Sequence, residues 1–362
     1  MCYHPRGVYA GSDQGPNKGD SLTHPTGFGR AELLRSGPDV VRAEVTPLVA
    51  DRLQEVEESL CHNLASPIRI VDEIGQFVTE GAGKRVRPTL HLLCTRLCEY
   101  EGPHDVLLAT VVELIHSATL IHDDIIDGAK TRRGRESVNH RWGNDITVLF
   151  GDYMFAKAME LALQAESLPV MQRLADVTLR MTEGEMLQTR YVGRLDLTVD
   201  EYLDLVERKT AALFSCCCEL AGLLSGVDAE RGAALRSYGR HVGLAFQLVD
   251  DLLDFTGDSE RLGKPTAGDL RGGKVTLAVL DLLSGCGDAE RRLVREVMDG
   301  RDDLDAIRRL TETLHESGAL ERAHERARFH ALSAIGELRL FPESPARRAL
   351  KTLPDLLLFR ER

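Results

Sequence analysis

Two acidic pentads with the same spacing, DDIID at Asp123–Asp127 and DDLLD at Asp250–Asp254, constrain this chain more than any other feature. Each puts carboxylates at i, i+1 and i+4, and each ends an apolar helical pattern shortly before a glycine, Gly128 or Gly257. A helix end of that kind is a poor place for anions. Like charges one turn apart cost about 0.2–0.5 kcal/mol, and anions in a last turn oppose the helix dipole by roughly 0.3–1 kcal/mol. A fold that accepts this twice must bring two helix ends to a place where a cation offsets the repulsion.

The rest of the pattern is helical. From Val41 onward apolar residues recur at steps of three and four. They are interrupted at Gly81–Gly83, Gly102-Pro103, Gly143, Gly193, Gly226, Gly257, Gly272-Gly273 and Gly300. No convincing run alternates with period two, so an all-α fold is predicted. Between Pro103 and Asp127, one stripe is apolar (Val111, Leu114, Ala118, Ile121, Ile125) and packs. A second stripe, His116, Leu120, Asp123 and Asp127, carries polar groups inward or into a cleft. Gly243, Gln247, Asp250 and Asp254 repeat the design at steps of four, three and four. The two acid-tipped helices are expected to form two walls of one cavity. Residues 1–40, rich in Gly, Pro, Ser, Asp and Asn, are expected to be a flexible extension, and 41–362 a single helical domain. The Arg-, Glu- and Leu-rich region after Asp288 carries no interpretable motif and reads as a solvated helical face.

Composition excludes several classes. The net charge of −12 argues against a nucleic-acid binder, which needs a basic face for phosphates. None of the eight cysteines forms a CxxC pair, and the Cys216-Cys217-Cys218 run reads as small core residues, since adjacent helical side chains diverge. The first residues lack the apolar region of a secretory signal, and the most apolar stretch, 211–226, is broken by Glu219. A cytoplasmic location is the expectation.

Aspartate clusters without His or Cys suit a hard divalent cation, and Mg²⁺ usually shares substrate phosphates instead of filling a protein-only cage. One DDxxD alone is also what a solvated acidic helix end looks like; two at matching helix positions point to Mg²⁺ bridging to a diphosphate. Basic groups lie where such a ligand needs them: Arg132 and Arg133 after the first pentad, Lys84, Arg85 and Arg87 in GAGKRVRP, and Lys209 beside Thr210. Lys264 and Lys274 follow the second pentad. Each alone would pass for a surface charge; together they make two anion sites, one metal-bridged and one held directly. His116, on the Asp123 stripe, is either a satisfied interior histidine or a ligand contact, and Gln247 reads the same way.

The stretches ELIHSATLIHDDIIDGAKTRRG, GAGKRVRP and FQLVDDLLDF with GKPTAGDLRGGKVTL resemble, in order, the conserved segments of the trans-isoprenyl diphosphate synthases, the polyprenyl synthetase family. The departures are small: Ala82 stands for a family glycine, and Ala278 for the proline after TL. The resemblance implies an isoprenoid synthase fold, with helices around a deep central apolar cavity, usually in a homodimer. It also implies roles. Asp123, Asp127 and Asp250 would hold on the order of two or three Mg²⁺ ions on an allylic diphosphate, with Asp124 and Lys209 also catalytic. Arg132, Lys209, Thr210, Gln247, Lys264 and Lys274 would contact substrate. Lys84, Arg87, His116 and Arg133 would bind isopentenyl diphosphate.

The implied chemistry is ionisation of the allylic diphosphate, attack by the isopentenyl double bond and loss of a proton. It requires no protein nucleophile, and no Ser/His/Asp or Cys/His arrangement is found. In the family, residues four and five before the first pentad set product length, and here they are the small Thr119 and Ala118. The resemblance therefore implies a product of about C30 to C50, grown in a pocket that closes round it. Ile115, Phe150, Met154, Phe155 and Met159 are candidates for its floor. The resemblance also implies an allylic partner such as farnesyl diphosphate, and transient membrane contact for product release. The alternatives are a farnesyl or geranylgeranyl diphosphate synthase, a class I terpene cyclase, which needs no isopentenyl site, and a non-catalytic subunit of a heteromeric synthase.

Overall fold

The apolar steps of three and four do become helices. The computed structural model describes residues 41–358 apart from 82, 133, 257–266, 286 and 301–302. After a π-helical turn at Val41–Val45 come α1 (Thr46–Leu64), α2 (Arg69–Glu80), α3 (Val86–Leu97), α4 (His104–Ile126), α5 (Val138–Trp142), α6 (Asn144–Leu163), α7 (Leu168–Tyr191) and α8 (Val199–Val206). A second π-helical turn, Glu207–Ala211, leads to α9 (Ala212–Ser225) and α10 (Ala229–Thr256). Then follow α11 (Gly268–Arg271), α12 (Leu277–Gly285), α13 (Asp288–Asp299), α14 (Leu304–Glu316), α15 (Ala319–Glu337) and α16 (Pro345–Leu358). The described residues hold one small sheet that periodicity did not announce. Thr131–Arg132 pairs antiparallel with Arg135–Glu136 directly after the first pentad. Two residues per strand are too few to show alternation; the turn depends on Gly134 at φ +74°.

The helices pack around two apolar cores joined by α10. Ala234, Leu235, Tyr238 and Val242 of α10 enter the first core with residues of α1, α3, α4, α6, α7 and α9. Leu244, Leu248, Val249, Leu252 and Phe255 of the same helix enter the second, with α8 and α11–α15. This corrects the reading of the C-terminal third as a solvated face. Val294, Val297, Leu310, Leu314, Ala323 and Ala327 form a stripe that helps build the second core. The run Cys216–Cys218 is buried beside Cys94, in reduced form, as expected of small core residues.

In α4, Val111, Leu114, Ala118 and Ile121 are buried while His116, Leu120 and Asp123 are half-buried, so the two sequence stripes are two real faces. By composition α4 is apolar enough to span a membrane, yet 61% of its most apolar stretch is buried inside the protein. It is a core helix.

Candidate active site

The first pentad ends α4. Asp127 caps the helix, its N–H donating to the Asp123 carbonyl at 2.8 Å, and Gly128 at φ +61° turns the chain away. All three carboxylates of the pentad have a cation. Lys209 Nζ lies 3.7 Å from Asp123 Oδ2, and Lys274 Nζ donates to both oxygens of Asp127 at 2.9 and 3.0 Å. Arg132, on the first strand of the hairpin, holds the buried Asp124 through Nε at 2.8 Å. Even so, Asp123 is poorly served. Burial, with Glu185 and Asp127 adding negative charge, pushes its carboxyl up to about 6 against the pull of Lys209 and Arg132.

Lys209 reaches this point because the helix carrying it is deformed. Lys209 and Thr210 lie on the π-helical turn Glu207–Ala211, not in regular helix as periodicity suggested, and such turns recur at functional sites. Two glycines let neighbouring helices close on it. A Cβ at Gly184 of α7 would sit 2.8 Å from the Lys209 backbone nitrogen, and one at Gly243 of α10 would sit 2.6 Å from Ala211 Cα. The residue after Gly184, Glu185, accepts from Lys209 Nζ at 2.5 Å. Lys209 is thus shared between Glu185 and Asp123.

The second pentad is wired differently. Asp250 is exposed, and no lysine or arginine pairs with it among the described residues. Asp251 is buried and accepts from neutral donors, the Tyr202 hydroxyl and Gln247 Nε2, the latter at 2.7 Å. Burial, with Asp269 and Asp250 nearby, raises its carboxyl to about 8 against those two hydrogen bonds. Asp254 accepts from the N–H groups of Gly268 and Asp269, each at 3.0 Å, and so fixes the start of α11. Thr210 Oγ1 donates to Gln247 Oε1 at 2.8 Å, which ties the π turn to α10.

These groups share one cavity of about 170 Å³. Lys209, Thr210, Gln247, Asp250, Asp251, Asp269 and Lys274 line it with Gln188, Tyr191, Tyr202 and apolar side chains. The expectation that two acid-tipped helices face one space is met on the second helix directly, and on the first through Lys209 and Lys274. A separate basic group stands on α3 and α4. Arg87 NH1 lies 2.9 Å from His116 Nε2, with the guanidinium stacked 4.6 Å over the Phe214 ring. Lys84 is exposed in the preceding loop. Arg85, grouped with these cations in the sequence, serves structure: it holds Glu57 at 2.5 and 2.9 Å and Glu113 at 2.7 Å. Arg133 and Lys264 lie outside the described residues.

Below the first pentad, Ala118 is wholly buried, and the Thr119 hydroxyl donates back to the His116 carbonyl at 2.7 Å. Ile115, Phe150 and Met154 are buried between α4 and α6, Phe155 stacks on His122 at 6.4 Å, and Met159 packs against the same core. Neither Ala118 nor Thr119 borders the cavity described above. Glu185, Gln188, Tyr202 and Asp269 escaped the sequence reading. Glu185 and Gln188 do sit three apart on one face of α7, but many surface helices show such a pair.

The residues suit a divalent cation bound through oxygen. The cavity lining offers carboxylates and neutral oxygens but no histidine or cysteine, and burial near Glu185 and Asp127 leaves Asp123 wanting more positive charge than Lys209 provides. Among the described residues no three acidic, histidine or cysteine side chains converge on a single point. A protein-only cage is therefore absent there, and a metal shared with a ligand's own oxygens fits the arrangement.

Fold and site together define a helical enzyme with two aspartate-tipped helices beside one polar-mouthed cavity and a separate cationic patch. The sequence profile of the polyprenyl synthetase family matches residues 68–314, and the chain belongs to that family. It is 33% identical to octaprenyl diphosphate synthase of Escherichia coli K12 over 88% of this chain and 99% of that one. A polyprenyl synthase of Caulobacter crescentus, solved with calcium and isoprenyl diphosphate, superposes with TM-score 0.83 at 34% identity, covering 88% of this chain and 98% of its own. A decaprenyl diphosphate synthase of Rhodobacter capsulatus gives 0.83 at 36%, covering 88% and 99%. The protein is a trans-polyprenyl diphosphate synthase, a prenyltransferase on the all-helical isoprenoid synthase fold, in a family that uses isoprenyl diphosphates and divalent metal ions.

Proposed function

We propose that this chain condenses isopentenyl diphosphate with an allylic diphosphate, in the presence of Mg²⁺, to make an all-trans polyprenyl diphosphate of about C30 to C50, its length set by the depth of an apolar pocket. One observation carries the reading. Asp250 and Asp251 of the second pentad line one cavity with Lys209 and Lys274, the two lysines reach Asp123 and Asp127 of the first, and Arg87, bonded to His116, stands outside that cavity as a second cationic site. An enzyme joining two diphosphates needs both places; a cyclase, which ionises a single substrate, needs one.

Bound Mg²⁺ would neutralise the allylic diphosphate and make it a competent leaving group, with Asp123, Asp127 and Asp250 as its protein ligands. Lys209 and Lys274 are already aimed at the first pentad and can turn to diphosphate oxygens as these arrive. Arg132, fixed by Asp124, presents a guanidinium beside them. Arg87, held by His116 and stacked on Phe214, orients the second diphosphate so that its double bond faces the ionising carbon. Apolar walls keep water from the carbocation. The departing diphosphate, retained by these cations, takes up the released proton.

Product length rests on α4. Ala118 and Thr119 precede the first pentad by about one turn, and a bulky side chain there would close the pocket early. Octaprenyl and decaprenyl synthases among the relatives support the longer product. Exposed Leu149 on α6, with Leu179 and Met186 on α7, at 64%, 60% and 70%, support pairing with a second copy.

Incubation of the purified protein with Mg²⁺, farnesyl diphosphate and labelled isopentenyl diphosphate, followed by sizing of the product, tests the proposal. A ladder ending between about C30 and C50 is expected of a deep pocket. A farnesyl- or geranylgeranyl-length product would overturn the length, and a cyclic hydrocarbon would overturn the reaction. Ala118→Phe should shorten the product while turnover stays measurable; unchanged length would remove Ala118 from the pocket wall.

A further inference from the structure

Tyr202 has no part in the chemistry above, yet it occupies the centre of the second pentad's wiring. A capping box sets its position. The Thr198 hydroxyl accepts from Glu201 N–H at 3.1 Å, and the Glu201 carboxylate accepts from Thr198 N–H at 2.8 Å, so α8 starts at Val199 and Tyr202, in its first turn, faces inward. The ring is 3% exposed in the second core, and its hydroxyl donates to Asp251 Oδ2. The other oxygen of Asp251 accepts from Gln247 Nε2, and Gln247 Oε1 accepts from Thr210 Oγ1. A single chain of hydrogen bonds therefore runs from α8 through α10 to the π turn that carries Lys209.

We infer that Tyr202 is a positioning residue for the allylic diphosphate, acting through Asp251 and Gln247 on Thr210 and Lys209. The inference rests on the reading of this cavity given under Proposed function. A glutamine amide has two unlike ends. With a hydroxyl donating to its oxygen and a carboxylate receiving its nitrogen, it cannot turn over without losing both bonds. Its second N–H is left for an acceptor in the cavity, as a diphosphate oxygen is. Asp251 can fix Gln247 only while Asp251 is itself fixed, and the Tyr202 hydroxyl does that. With the hydroxyl removed, the carboxylate swings, Gln247 gains a second orientation, and the π turn loses a tie to α10. The Arg87–His116 group lies on other helices and is untouched.

The test is a double-mutant cycle on steady-state kinetics. Tyr202→Phe keeps the ring in the core and should lower kcat/KM for the allylic substrate about tenfold, the upper scale for one lost buried hydrogen bond. KM for isopentenyl diphosphate should not change. In an Asp251→Asn background the same substitution should cost less than about twofold, since its effect is transmitted by that carboxylate. At the other end of the chain, Thr210→Val and Asp251→Asn should also be non-additive; this arm holds even if Tyr202→Phe folds poorly. Additive effects in both cycles, or an equal loss toward both substrates, would overturn the positioning role and leave Tyr202 a core residue. If the wild-type protein fails to condense the two diphosphates, the proposed function fails instead, and the two failures are told apart by that control.

Discussion

The two pentads share a spacing and a place at a helix end, yet almost nothing else about them is alike. In the first, each carboxylate meets a cation: Lys209, Arg132 and Lys274 attend Asp123, Asp124 and Asp127. In the second, Asp251 is held by a phenol and an amide, and Asp254 accepts two backbone N–H groups. The difference teaches how one motif can do two jobs. The first pentad holds Lys209 and Lys274, which under the proposed function a diphosphate would recruit. The second sets α11 and the π turn in place and leaves Asp250 at the cavity mouth. Counter-charge meets the buried carboxylate of the first pentad, Asp124, and neutral donors meet that of the second, Asp251.

The comparison can be broken at several points. The largest effects are expected where both pentads contribute alike. Asp123→Ala and Asp250→Ala should each lower metal-dependent condensation by about a thousandfold or more, the scale of lost charge stabilisation in a water-poor site; near-normal turnover in either would remove that residue from the metal. A smaller effect should single out the first pentad. Glu185→Gln frees Lys209 from the closer of its two acidic partners. It should change kcat/KM for the allylic substrate by about tenfold, with the isopentenyl KM unmoved, since a charge-assisted contact of this kind is worth on the order of 1.5–3 kcal/mol. An equal effect on both substrates would mean that Lys209 is not dedicated to one of them.

The smallest effect is one of stability. The Asp123 carboxyl lies at about 6 in the folded protein against an ordinary 3.8, so the fold binds this proton more tightly than the unfolded chain does. A raised carboxyl of this kind contributes stability that is complete below the unfolded value and is lost as pH rises through the folded one. Near neutral pH the metal-free protein should therefore gain on the order of 1–3 kcal/mol from Asp123→Asn. Below about pH 4 that gain should vanish, because Asp123 is protonated in both states. Thermal melts across that range check it, and a variant less stable than wild type near neutrality would show that Lys209 outweighs burial.

Much of this was legible in the sequence because it depends on period and spacing. The stripes of α4 and α10 and the helical class follow from which residues recur at three and four, and Lys209 and Lys274 do lie beside the first pentad. What escaped depends on where helices touch. Nothing local marks Tyr202 as the partner of Asp251, 49 residues away, or Glu185 as the partner of Lys209. The π turn was hidden as well, since one extra residue in a helical turn leaves the apolar pattern nearly intact. Arg85 shows the opposite error: its composition suited a phosphate, but Glu57 and Glu113 occupy it. The second core was missed because Arg and Glu outnumber the apolar stripe of α13–α15 in a helical region without a motif.

The central claim is that both pentads hold metal on one diphosphate, despite their different wiring. Calorimetric binding of a non-ionisable allylic thiolodiphosphate, with and without Mg²⁺, tests it without requiring turnover. The account predicts that Mg²⁺ tightens binding to the wild-type protein, and that Asp123→Ala and Asp250→Ala each remove most of that gain. A variant at either position that keeps the full Mg²⁺-dependent gain would contradict it.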